Sequence, residues 1–208
     1  MFQMNLNLLK KYMAHVLGLV SILIFLIFTS IAVACFPGNF TPVTNWLSDL
    51  GNPNFNPSGA IFFNTGCILA GTIFIPFFTG LYRWHTDKKW DNIILVSAQI
   101  VGFISAFAMI MVGIFPETDP KMHWIWSSIL FITILIFLIL INISLFDHPK
   151  FMRPIFYFGL LAVLVDLFFI VMFRIYTGLP APLFEWLAAF FAIFWIAALT
   201  YNMLKLKV

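Results

Sequence analysis

Charged residues are scarce in this chain. Asp, Glu, Lys and Arg make up 9% of its 208 residues, whereas a soluble domain carries about 25%. Hydrophobic residues make up 62%, and the mean hydropathy is +1.03. A soluble fold could not bury that much apolar surface, so the composition predicts an integral membrane protein. The length suits one domain over residues 1–208.

Several chemical motifs are also missing. The sequence has no dinucleotide fingerprint, phosphate-binding loop or haem-attachment motif, and no Gly-x-Ser-x-Gly nucleophile turn. These absences argue against redox and ATP-driven activities, and no cofactor is predicted. The two cysteines, Cys35 and Cys67, are expected to be free thiols.

Six long apolar blocks fill most of the chain. Each is close to the roughly 20 residues that a helix needs to cross a bilayer, and lipid leaves no partner for unpaired backbone groups. We therefore predict an all-α bundle of six transmembrane helices, at about 13–36, 60–82, 92–115, 123–146, 155–175 and 184–204.

The basic residues are distributed unevenly between the two sides of this bundle. Only Lys121 and Arg174 fall on one side. The other nine fall opposite, namely Lys10, Lys11, Arg83, Lys88, Lys89, Lys150, Arg153, Lys205 and Lys207. Because cytoplasmic loops are enriched in Lys and Arg, both termini are predicted to be cytoplasmic, in the cell membrane. The net charge of +3 is explained by these membrane flanks and predicts no nucleic-acid partner. Membrane lipids are the expected partners.

Small residues recur at helical spacing in the second and third spans. They are Gly66, Ala70 and Gly71, and then Ala98, Gly102 and Ala106. Such faces allow helix backbones to approach closely. They predict tight packing of these two spans, on each other or in a homo-oligomer.

The longest connection, residues 37–59, has a pattern of its own. Within Thr44–Gly51, apolar Trp46, Leu47 and Leu50 fall on one side of a helical turn and Asp49 falls toward the other. This pattern predicts a short amphipathic helix in the first outer loop. Asp49 either hydrogen-bonds neighbouring backbone, as Asp does in turns, or points into the mouth of the bundle.

Two segments resemble a known family. The first is Leu47–Gly51 with the later Pro53, Asn56, Pro57, Asn64 and Gly71; the second is Gly113–Glu117 followed by His123 and Ser127. Together they resemble the six-helix membrane family catalogued as domain of unknown function 998, which implies a fold but no activity. A looser similarity, through the Ser-Asp-x-Gly turn, is to the DRAM and Sfk membrane proteins, and implies an association with lipid organisation and autophagy signalling.

The polar residues expected on the outer side suggest a vestibule. Its predicted ligand-binding residues are Asp49, Asn64, Glu117, His123 and Arg174. No metal is predicted, because His123 is the only outer histidine and a catalytic zinc site usually needs more. A Ca²⁺ or Mg²⁺ site built from Asp49, Glu117, Asp119 and Glu185 remains chemically allowed. Arg174 is expected to pair with Glu185.

Asp166 is the most anomalous residue, because it lies midway along the fifth span. A carboxylate there costs roughly 2.5–3.5 kcal/mol on the insertion scale. It is either a neutral or hydrogen-bonded group, with Ser105 and Thr133 as possible donors, or a functional proton relay or substrate contact.

Three functional hypotheses follow. The first is a non-enzymatic bundle that binds or organises a lipid or small amphiphile through its outer vestibule. The second is a membrane-embedded hydrolase or transferase acting on lipid head groups, with Asp49 and His123 as catalytic acid and base. The third is a small proton-coupled transporter that uses Asp166.

Overall fold

The computed structural model describes the backbone of residues 6–175 and 180–205, and the side chains of residues 16–172 and 180–205. Over these residues the chain forms six α-helices and no strand. The helices are α1 (Leu6–Ala34), α2 (Ala60–Gly80), α3 (Lys89–Ile114), α4 (Pro120–Leu145), α5 (Arg153–Ile175) and α6 (Ala181–Lys205). Each contains a stretch long and apolar enough to cross a membrane. The predicted all-α class with six spans is confirmed, and the protein is a multi-pass membrane protein.

Helix ends follow local sequence signals more closely than they follow the apolar blocks. Asp119 caps α4, since its Oδ1 accepts the N–H of Met122 at 3.2 Å and Pro120 occupies the first turn. Phe115 follows the last residue of α3 and precedes Pro116, which disfavours helical backbone in the residue before it. The described part of α1 already includes Leu6, so this helix extends ahead of the apolar block at 13.

Consecutive helices run antiparallel. Contacts between opposite ends of neighbouring helices show this for every consecutive pair: Gly18 with Phe77, Asn64 with Gly113, Asp91 with Ser144, Phe146 with Phe156, and Met152 with Asn202. The first and last described residues therefore lie at the same end of the bundle.

The small residues of α2 and α3 pack these helices on each other, as predicted. A Cβ added to Gly71 would lie 2.8 Å from the backbone oxygen of Ala106. One added to Gly113 would lie 2.5 Å from the backbone oxygen of Asn64. Gly66 instead faces Phe28 of α1, where a Cβ would meet the Phe28 side chain at 2.6 Å. These faces are covered within one chain, and the homo-oligomer remains a prediction.

The two ends of the bundle differ in charge. We call the end formed by the connection 35–59, the turn 115–119 and the start of α6 the acidic end, because it carries Asp49, Glu117, Asp119 and Glu185. The basic end carries Arg83, Lys88, Lys89, Lys150, Arg153 and Lys205. The assignment of the acidic end to the outside of the cell remains a prediction.

The predicted amphipathic helix is a single 3-10 turn, Ser48–Gly51. Its apolar side faces inward as expected, since Leu47 and Leu50 are both buried. The turn stops at Asn52, whose φ of −87° and ψ of 111° are extended, because Pro53 follows and disfavours helical backbone before it. The two cysteines are free, as predicted.

Candidate ligand site at the acidic end

A hydrogen bond joins the first long connection to the last helix. The Leu47 N–H donates to Glu185 Oε2 at 2.6 Å, and Glu185 lies in the second turn of α6 with only 7% of its surface exposed. The N–H groups at the start of a helical turn have no partner within the turn. Glu185 supplies one from α6, so the Ser48–Gly51 turn is held against that helix.

Glu117 holds the other side of the same turn. Its Oε1 accepts the Ser48 hydroxyl at 2.6 Å, and its Oε2 accepts the Asn52 side-chain amide at 3.3 Å. Glu117 belongs to the connection between α3 and α4. The turn is therefore fixed between three parts of the chain that are far apart in sequence.

Asp49 is bonded within its own loop. Its Oδ2 accepts the Trp46 N–H at 2.9 Å and the Asn45 amide at 3.5 Å. Burial, and then the negative charge of Glu117, raise the pKa of Asp49 to about 6, although the Trp46 hydrogen bond acts in the opposite direction. Of the two alternatives for Asp49, these contacts match the first, in which its side chain hydrogen-bonds neighbouring backbone.

His123 presents an unused hydrogen-bond acceptor. Its Nδ1 lies 2.9 Å from the backbone oxygen of Phe115. A carbonyl oxygen can only accept, so Nδ1 carries the proton and the neutral ring keeps a lone pair on Nε2. No described residue bonds Nε2, while the Ser127 hydroxyl donates to the backbone oxygen of His123 at 2.8 Å.

Two cavities meet at these polar groups. The deep cavity, of about 100 Å³, runs inside the bundle, and the lateral cleft, of about 370 Å³, lies mainly between α4, α5 and the Ser48 turn. Five residues line both cavities: Ser48, His123, Ser127, Phe131 and Glu185. The polar groups thus lie where the two spaces join.

The lateral cleft borders the membrane-facing surface. Two of its lining residues on α4, Trp124 and Ile132, are 46% and 41% exposed. The α4 residues that line it run from Pro120 to Ile132, about 18 Å at 1.5 Å per residue. That is roughly half of the bilayer's apolar thickness of about 30 Å. The cleft is therefore placed to admit a molecule from one leaflet.

The deep cavity is apolar away from its mouth. Along α4 its lining runs from His123 to Leu138, about 22 Å of helix. Below the polar mouth the walls consist mainly of Phe, Leu, Ile, Met and Ala side chains, among them Phe74, Phe78 and Ile196. Such a space suits a hydrocarbon chain.

Comparison with models of protein families identifies the family of this chain. The model of the family described as Protein of unknown function (DUF998) matches residues 19–202. The chain belongs to the DUF998 family. No curated protein and no solved structure matches it, and the similarity to DRAM and Sfk proteins is not confirmed.

The motif residues that suggested DUF998 in the sequence lie around this site. Asn56 donates to the backbone oxygens of Ala32 and Leu50, each at 3.0 Å, and accepts the Gly59 N–H at 3.1 Å. Asn64 donates to the backbone oxygen of Gly51 at 2.9 Å. These contacts anchor the Ser48–Gly51 turn to α1 and α2.

The structure brings together only part of the predicted ligand-binding set in this DUF998 protein. Glu117 lines the lateral cleft and His123 lines both cavities, whereas Asp49 and Asn64 line neither. The side chain of Arg174 lies outside the described residues, as does its predicted pairing with Glu185. Among the described side chains, no group of three His, Cys, Asp or Glu residues could hold a metal ion.

Glu185 is the residue that the predicted set omitted. The sequence did mark Glu185 as unusual, because it is the only acidic residue in the apolar sequence of α6. What the sequence did not show was its partner, the Leu47 N–H, 138 positions earlier.

Asp166 lies apart from both cavities. It is fully buried in α5, and neither carboxylate oxygen has a hydrogen-bond partner among the described residues. The expectation that Ser105 and Thr133 donate to it is wrong. Their hydroxyls donate within their own helices, to the backbone oxygens of Gly102 at 2.9 Å and Ile129 at 2.7 Å.

Proposed function

We propose that this protein binds a membrane lipid or a similar amphiphile. The hydrocarbon chain would occupy the deep cavity, and the head group would contact Ser48, His123 and Glu185 at its mouth. One observation carries the proposal: an apolar cavity and a membrane-facing cleft share the same polar residues. Ligand sites are typically apolar spaces with a few convergent polar groups.

Lateral entry fits the position of the cleft. Lipid tails are as apolar as the cavity wall, so moving a chain from bilayer to protein brings little hydrophobic gain. Packing and the polar contacts at the mouth would then decide which amphiphile is retained. The head group is therefore the part of the ligand that this protein would recognise.

Binding is favoured over catalysis by the contacts of the two candidate catalytic residues. Asp49 is engaged by Trp46 and Asn45 and lines neither cavity, although His123 lines both. The nearby Ser127 hydroxyl donates to a backbone oxygen. The predicted Asp49–His123 pair therefore does not face a common space, and transport through Asp166 remains a prediction.

The test is native mass spectrometry of the protein extracted in a mild detergent. Ala192 lines the deep cavity, so Ala192→Leu would fill it from α6. Ala162→Leu is the control, because Ala162 is equally small and buried but lines neither cavity. We expect a retained lipid mass in wild type and Ala162→Leu that is lost in Ala192→Leu, with all three eluting as folded protein.

Two outcomes would contradict the proposal. One is a wild-type protein that carries no lipid after extraction and acquires none when membrane lipids are added back. The other is equal retention in Ala192→Leu and wild type.

A further inference from the structure

The lateral cleft combines acidic and aromatic side chains. Glu117 and Glu185 line it together with Trp46, Trp124, Phe131 and Phe169. We propose that the head group recognised there carries an organic ammonium group. This inference rests on the proposed amphiphile binding and names the chemical class of its head group.

The charges around the cleft are the first reason. Two carboxyl side chains, Glu117 and Glu185, line it, and no Lys or Arg lines either cavity among the described side chains. Lys121, the basic residue nearest in sequence on α4, is exposed and lines neither. The third carboxylate, Asp49, is close enough to Glu117 for that charge to raise its pKa. A bound cation would relieve this repulsion.

The free acceptor of His123 is the second reason. His123 is only 9% exposed, and its Nε2 has no partner among the described residues while the ring lines both cavities. An ammonium N–H would supply the missing donor in the same space.

The aromatic rings are the third reason. A cation within about 6 Å of a ring face is attracted by the ring's quadrupole, and aromatic residues commonly surround bound ammonium groups. Phe131 and Phe169 pack edge to face with their centroids 4.7 Å apart, and Trp46 and Trp124 line the same cleft. An anionic head group would gain nothing from these rings and would be repelled by the negative charge of Glu117.

The experiment compares three amphiphiles that share one saturated chain: hexadecylamine, hexadecanol and hexadecanoate. Dissociation constants are obtained from the thermal stabilisation of the detergent-solubilised protein as each is added at equal mole fraction in the micelle. We expect hexadecylamine to bind at least about tenfold more tightly than hexadecanol, and hexadecanoate to bind most weakly.

Variants test which residues cause the preference for the amine. The Glu117→Gln, Glu185→Gln double variant keeps acceptors for Ser48 and Leu47 but removes both carboxyl groups, so the preference for the amine should disappear while hexadecanol still binds. Asp119→Asn is the control. It removes an acidic charge at the same end, lines neither cavity, and keeps a good helix cap.

The results separate the two proposals. Equal binding of all three amphiphiles, or preference for hexadecanoate, would overturn the ammonium inference and leave amphiphile binding intact. A preference that survives in the double variant would also overturn it. Failure of all three to bind would overturn the proposed function itself.

Discussion

Replacing Asp166 by Val is expected to make the protein more stable. Asp166 is fully buried within α5, a membrane-crossing helix, and neither of its carboxylate oxygens is bonded by any side chain or backbone group in the described part of the chain. Most buried Asp residues have partners. A buried Asp without partners lowers the free energy of unfolding, so replacing its polar atoms by apolar ones should raise that free energy.

The size of the effect follows from the cost of the unpaired group. A buried polar group without a partner costs about 1–3 kcal/mol, and a charged one at a helix centre about 2.5–3.5 kcal/mol on the insertion scale. Val is close to Asp in size, so little overpacking opposes the gain. We therefore expect Asp166→Val to raise the free energy of unfolding by about 1–3 kcal/mol.

Reversible unfolding in mixed micelles, followed by far-ultraviolet circular dichroism, measures this difference. Thr133→Val is the matched control. The Thr133 hydroxyl already donates to the backbone oxygens of Ile129 and Leu130, so its loss should change stability by less than about 0.5 kcal/mol. A loss of more than about 1 kcal/mol in Asp166→Val would refute the reasoning, because it would mean that the carboxylate is paired in the folded protein.

Three further predictions concern the loop and the helix packing. The raised pKa of Asp49, about 6 against an ordinary 3.8, means that its contribution to stability is present below about pH 4 and is lost as the pH rises through 6. Thermal unfolding between pH 4 and 7 should therefore show a fall in stability that is smaller in Asp49→Asn than in wild type, and a fall of unchanged size would contradict this assignment. Asn56→Ala removes three hydrogen bonds and should lower the free energy of unfolding, measured by chemical denaturation, by about 2–3 kcal/mol. The control Asn54→Ala, at an exposed position, should lower it by almost nothing. Equal losses in the two variants would count against the anchoring role of Asn56. Gly113→Ala places a Cβ 2.5 Å from a backbone oxygen of α2 and should lower the melting temperature by several degrees, so an unchanged melting temperature would show that α2 and α3 can separate freely.

The helices were predictable because each depends on local sequence. Six apolar blocks required six spans. The ends of α3 and α4 at their junction also have local causes, since Pro116 follows Phe115 and Asp119 caps α4. The pairing of α2 with α3 was also foreseeable from their small residues, since close approach requires them at the contact. Gly71 and Gly113 lie at that contact.

The site was less predictable because it depends on contacts across the whole chain. Asp49 and His123 look equally suited to chemistry in the sequence. Only the fold shows that Asp49 is used by its own loop while His123 faces the cavities. Glu185 could not be matched with Leu47 without the register of α6 against the first loop. The volumes of the cavities depend on how the Phe side chains pack, which no local pattern determines.

The hydrogen bond from Leu47 to Glu185 also has a consequence for how the protein is assembled. Its partners are 138 positions apart, and chains are synthesised from the N-terminus. Four more helices, α2 to α5, are therefore synthesised after the first loop before α6 supplies Glu185, the acceptor for Leu47. Until then the turn lacks the contact that holds it against α6 at the acidic end. An amphiphile could enter at that stage and be enclosed as α6 is added, so that loading would belong to biogenesis as well as to the mature protein.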